Sequence, residues 1–337
     1  MTLKLLLKRG ALIAAANWPT IAIQFVAETA FQALLAVPII GAAVLVAVML
    51  GGDLAELLRG NLRQMFSTIS GTLMSEPVAF VAFITAFGIV LVGGSMLMFL
   101  VKGGTVEVLL AAEAEARPIE REPLTYETTF RQTSRFTLER FMDGCRRMFR
   151  RYLALGWVLM LVYVLSGGAY LACVVYGYQA AGDRFLIIGW TFIAALAGVA
   201  LVGWITLVNW VYLLLQIAMA VDDVGLAGAC RAVARFVRSE FRELAGVFGV
   251  VLIFVVGATL ASALAWSGVG LIAFVPLAGL AVFPLQLAAL VLRGLVFEYL
   301  GLTALAAYTT LYHRHVAQFG AATDRSRVDR GLVKSTV

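Results

Sequence analysis

The chain has 337 residues, of which 62% are hydrophobic and only 14% charged, with a formal net charge of +6. Soluble domains carry about 25% charged residues, so a water-soluble fold of this length has no way to hide so much apolar surface. Apolar runs of about 20 residues or more, each enough to cross a hydrocarbon core about 30 Å thick, make it an all-α, polytopic transmembrane helix bundle. Continuous Leu, Ala and Val argue against a membrane barrel, whose strands alternate.

Residues 1–18, MTLKLLLKRGALIAAANW, are basic at the start and apolar afterwards. No A-x-A site follows a proper apolar core, so the segment reads as an uncleaved, cytoplasmic amphipathic helix. Hydropathy then places spans near 19–50, 77–101, 152–178, 186–216, 247–267 and 271–313. Larger polar segments fall at 51–76, 102–151 and 222–246, with short connections at 179–185 and 267–270. The last span would be about 64 Å long as a straight helix. Pro276 and Pro284 remove backbone donors within it and are expected to break it into a bent lead-in and one crossing.

Basic residues set the expected orientation. Sides alternate, and 22 of the 26 Lys and Arg fall in residues 1–18, 102–151, 222–246 and the tail after 313. The opposite side holds Arg59, Arg63 and Arg184. The positive-inside rule puts the 22 in the cytoplasm, with both termini inside and six crossings. The expected location is the inner (cytoplasmic) membrane of a bacterium.

Each odd-numbered span follows a basic amphipathic stretch: LKLLLKRGALIAAANW, FMDGCRRMFRRYLALGW and GACRAVARFVRSEFRELAG. In the third, Ala232, Phe236 and Phe241 lie near one face, and Arg231, Arg235, Arg238 and Arg242 form another. Such helices lie in the headgroup plane with arginines toward anionic lipid. Arg146, Arg147, Arg150 and Arg151 are read the same way. The chain therefore divides as one integral membrane domain, 1–316, with a three-fold repeat-like pattern (1–116, 117–222, 223–316) and a basic, flexible tail, 317–337.

These Gly-Cys-Arg-Arg and Ala-Cys-Arg-Ala starts, and the ending ALAAYTTLYHR, resemble a loose group of multi-pass bacterial membrane proteins. The group includes the membrane domain attached to some glycerophosphodiester phosphodiesterases. The resemblance implies a helical membrane fold and no activity. The catalytic domain of that enzyme class carries an early His-Arg pair with metal-binding carboxylates, and the sole His-Arg here is His313-Arg314 in the tail.

Motifs for chemistry are scarce. The two histidines, His313 and His315, are two apart, do not face one metal from a helix, and read as part of a solvated basic tail. Cys145, Cys173 and Cys230 show no C-x-x-C spacing and read as free thiols. No P-loop, G-x-S-x-G, H-E-x-x-H or dinucleotide fingerprint occurs, which argues against a nucleotide-driven pump or a familiar hydrolase. No cofactor or metal is expected. Residues 107–127 carry six glutamates and 131–151 carry seven arginines, so these halves have the means to pair. The basic half sits just before a span, which makes anionic lipid a nearer partner than nucleic acid.

Within the spans only Glu28, Arg293 and Glu298 are ionisable. Thr20, Gln24, Glu28 and Gln32 recur every four residues and share one helix stripe that must avoid acyl chains. Arg293 and Glu298 are about 140° apart on their helix, so Glu28 with Arg293 is the economical pairing. The stripe serves either as interhelical glue or as a polar path. Glycines and prolines at 93–94, 198, 203, 276 and 284 suggest interrupted helices of the kind that form transporter sites. Two functions lead: a non-enzymatic accessory or scaffold subunit that contacts anionic lipids and other membrane subunits, or a lipid or small-molecule transporter with its site at Gln24, Glu28, Gln32, Arg293 and Glu298; an intramembrane enzyme is a third, less favoured reading.

Overall fold

A computed structural model describes residues 2–50, 77–116, 118–120, 133–180, 184–273 and 276–334. They form seven helices and no strand: α1 (Leu3–Ala16), α2 (Trp18–Leu50), α3 (Pro77–Glu115), α4 (Leu138–Ala180), α5 (Arg184–Val221), α6 (Leu226–Ala273) and α7 (Pro276–Lys334). Six of them, α2 to α7, contain stretches long and apolar enough to cross a membrane, with mean hydropathies from 1.6 to 2.6. The chain is a multi-pass helical membrane protein. The polar segment expected at 51–76 lies outside the described residues, as does most of the acidic stretch after Glu120.

Two compact units are present, one of residues 23–101 and one of 1–22 with 102–337. In the first, the Phe31 ring of α2 occupies the space that a side chain at Gly94 of α3 would need, which is why a glycine stands there. In the second, α1 packs on α7, α6 on α7, α4 on α5, and α5 on both α6 and α7.

The second unit buries its core at one end. Ile13, Ala14, Leu109, Met148, Tyr152, Leu214, Phe236, Leu244 and Ala306 are all 2% exposed or less there. We call this end the head. Beyond it the helices keep large side chains outside: Leu161, Val164, Phe192, Val199, Ile253 and Leu264 are each more than half exposed. Such continuous aliphatic surface is incompatible with water and is what lipid-facing helices display. Two crossings of small residues bring the head together. A Cβ on Gly10 of α1 would lie 2.6 Å from the Thr303 carbonyl oxygen of α7, so these backbones touch. Likewise a Cβ on Gly103 would lie 3.0 Å from the Gly144 carbonyl oxygen, joining α3 to α4.

Several sequence expectations change here. The helices run unbroken through Gly93, Gly94, Gly198, Gly203 and Pro284, and α7 begins at Pro276. Proline at a helix start loses nothing, because that N–H has no intrahelical acceptor. Within a span, residues outside the chain offer the backbone no alternative partners, so helix persists despite glycine. The turn expected at 267–270 is helical, and α6 ends at Ala273. α6 departs from helical geometry at Glu240 (φ −117°, ψ 25°). This departure falls within the amphipathic stretch, just before Phe241. Ala232 and Phe236 are buried as expected, but Phe241, five residues or about 140° farther round the helix, is 59% exposed.

Candidate functional site

The polar chemistry of the second unit gathers in the head, around Arg9. α1 carries this arginine on its buried face, next to Gly10 and Ile13. Its guanidinium donates to Glu113 Oε1 at 3.2 Å and to Glu120 Oε2 at 3.1 Å. It also donates to the carbonyls of Glu113 and Ala116 at 3.2 and 3.1 Å, capping the end of α3. Lys8 Nζ donates to the Glu120 carbonyl at 2.8 Å. From α7, His313 Nδ1–H donates to the other oxygen of Glu113 at 2.7 Å. Arg9, Glu113 and Glu120 are each at most 9% exposed. Both Glu113 oxygens are thus engaged, one by α1 and one by α7. Two carboxylates oppose Arg9, with the Lys8 ammonium on the Glu120 carbonyl beside them, and a hydrogen-bonded cluster of opposite charges is the form in which buried charge persists.

A second layer surrounds this node. Asn17, fully buried between α1 and α2, donates to the carbonyls of Ile13 and Thr133 and accepts from the Arg135 amide at 2.8 Å. Arg135 pairs with Glu115 at 2.8 Å, and Arg147 with Glu107 at 2.6 Å. The acidic and basic halves of 102–151 therefore pair with each other at these positions. At the turn joining α5 to α6, Asp223 takes a left-handed φ of 55°, which a short polar residue tolerates. Arg151 lies 2.5 Å from its carboxylate and holds that carboxyl below the usual range.

The third layer ties α6 and the turn before it to α7. Tyr312 donates to Asp222 at 2.6 Å, and Ser239 and His315 Nδ1 are 3.1 Å apart. The Phe236 ring stands edge-on to Tyr312, 5.0 Å between centroids. His313 and His315 are therefore not a solvated tail: α7 extends past its apolar stretch into the head, and the two rings face Glu113 and Ser239. The first amphipathic helix is corrected in the same way. Arg9 turns inward to carboxylates, not outward to headgroups.

The arginines expected at headgroups divide into two groups. Arg146, Arg150, Arg231, Arg235, Arg238 and Arg242 are exposed, while Arg147 and Arg151 have intramolecular partners. Asp222, Arg231, Arg235 and Arg238 line a surface groove of about 600 Å³. Of the residues expected in an intramembrane polar site, Gln24 and Glu28 are half-buried and Gln32 is exposed. Gln32 Nε2 donates to Glu28 Oε1 at 3.1 Å, one helical turn away. Glu298 is 9% exposed, and the exposed Arg293 lies over the Phe297 ring at 5.6 Å. Glu28 belongs to the unit of residues 23–101 and Arg293 to the other. Sequence reading missed the Arg9 node. Its one signal was an acidic run, 107–120, with a basic N-terminal helix more than 100 residues away to oppose it.

No protein family, curated protein or solved structure was found to match this chain.

Proposed function

We propose that this chain is a non-enzymatic accessory or scaffold subunit of a complex in the inner (cytoplasmic) membrane, with six crossings and both termini in the cytoplasm. One contrast carries the reading. The buried ionic groups of the head hold its own helices together, whereas the spans leave their apolar faces uncovered. The most apolar stretch of α4 buries none of its residues, and that of α5 buries 6%. Helices so little buried by their own chain have surface to offer lipid and the helices of partner proteins. Purification in mild detergent is expected to bring down a membrane protein in stoichiometric amount. A chain that purifies alone and, in proteoliposomes, moves a lipid or small molecule across the bilayer would instead establish the transporter. That second reading draws on the Glu28–Gln32 hydrogen bond and the buried Glu298, which place polar groups along the spans.

The orientation is tested separately. Reporter fusions after Gly60 and after Tyr178 are expected to report the outer compartment, and one after Gly246 the cytoplasm. A C-terminal fusion active only outside would overturn six crossings with cytoplasmic ends.

A further inference from the structure

Between α6 and α7, on the side of the spans, lies a groove of about 350 Å³. Its floor is made of alanines, Ala258, Ala261 and Ala265 of α6 and Ala289 of α7. Their missing side-chain volume is what opens the hollow. Along α7 the lining extends from Leu285 to Phe297, twelve residues or about 18 Å of helix. Its volume falls within the range of pockets that hold small molecules. Nearly all of the lining surface is apolar, and its charged member is Arg293.

Arg293 stands toward the head-side end of this lining. Its guanidinium carbon lies 5.6 Å from the ring centre of Phe297, one helical turn nearer the head. The buried run of the head on α7 begins at Leu302, nine residues or about 14 Å from Arg293, so the head is the nearer polar end for a charge set in this span. Within its own unit and among the described residues, Arg293 forms no ion pair.

We propose that this groove binds one anionic lipid from the leaflet on the head side. Its acyl chain lies on the alanine floor and its charged headgroup meets Arg293. The occupant follows from charge and shape together. A hollow facing lipid is filled by chains, because empty space forfeits dispersion contacts. A cation at its head-side end selects an anionic headgroup, with which guanidinium forms charge-assisted, bidentate hydrogen bonds. A partner helix would have to bring its own carboxylate into the span, at substantial cost. The site does not depend on the subunit role, and either can fail without the other.

The test uses the full-length chain, delipidated and reconstituted in phosphatidylcholine nanodiscs doped with phosphatidylglycerol, with retained lipid read by native mass spectrometry. About one phosphatidylglycerol per chain is expected to survive a phosphatidylcholine wash. Arg293→Gln is expected to lower that retention about tenfold, the loss of one charge-assisted contact, and Arg293→Lys to keep most of it. Ala261→Phe with Ala289→Phe is expected to abolish it by filling the floor. Arg231→Gln with Arg235→Gln and Arg238→Gln, on the head surface, is expected to leave it within twofold. Helical content and elution volume confirm that each variant is folded. Retention by Arg293→Gln equal to wild type, or no preference for phosphatidylglycerol over phosphatidylcholine, would overturn the proposal. So would a several-fold gain in retention on Glu28→Gln, because the arginine would then be engaged by that carboxylate.

Discussion

Arg9→Met is expected to lower the stability of the protein by about 3–5 kcal/mol, the range for removing one partner of a buried ion cluster. Among the contacts of this arginine are two hydrogen bonds to carboxylates and two to carbonyls at the end of α3. Methionine fills much of the same volume, so the loss is electrostatic and not a cavity. It leaves Glu113 and Glu120, each under 10% exposed, without their guanidinium, and the freed carbonyls lose their cap as well. Replacing all three, Arg9→Met with Glu113→Leu and Glu120→Leu, is expected to recover most of that loss, because apolar side chains of similar size remove the desolvation cost together with the attraction. Thermal unfolding in detergent measures both. A single variant that melts with the wild type would mean that the node is not what joins α1, α3 and α7. A triple variant no better than the single would show that the cluster gives the head more than charge balance.

The spans were legible because lipid imposes a simple demand, about 20 apolar residues in a row, and every hydropathy maximum expected from the sequence became a long helix. The lower-resolution features were less so. Gly93-Gly94 and Pro284 look like breaks in a sequence, yet helix continues through them, since propensities measured in water do not govern a segment whose backbone has no other partner. The kink at Glu240 has no glycine or proline to announce it. Arg9 shows a deeper limit. A basic residue on an amphipathic helix has the same pattern whether it faces headgroups or carboxylates, and Glu113 stands 104 residues away. Periodicity reports which residues share a face and is silent on what covers that face. For Arg231, Arg235 and Arg238 the outward face was read from the same pattern and they are exposed; for Arg9 the pattern pointed the wrong way.

Phe236 and Phe241 test that distinction directly. The sequence reading puts both near one face of the basic stretch before the fifth span, although five residues are about 140° of helix; a helix lying flat on headgroups with both rings in the membrane would need both. In the folded head they part company. Phe236 is fully buried, edge-on to Tyr312 at 5.0 Å and 5.1 Å from the His315 ring. Phe241, beyond the kink, is 59% exposed. Phe236→Ala is expected to cost about 3–5 kcal/mol, the transfer of a large ring plus the cavity it leaves. The cavity would open between the Tyr312–Asp222 and Ser239–His315 hydrogen bonds, so the start of α6 should also loosen from α7. Limited proteolysis should then cut within 222–246 well before the wild type is touched. Phe241→Ala is expected to change stability by no more than about 0.5 kcal/mol, as exposed positions do. Phe236→Leu, which keeps much of the volume and loses the edge-on contact with Tyr312, should fall between them. Equal losses at 236 and 241 would return the stretch to a membrane-surface helix and remove the head's hold on it. A large loss at 236 alone means that this segment is core on one side and arginine-lined on the other.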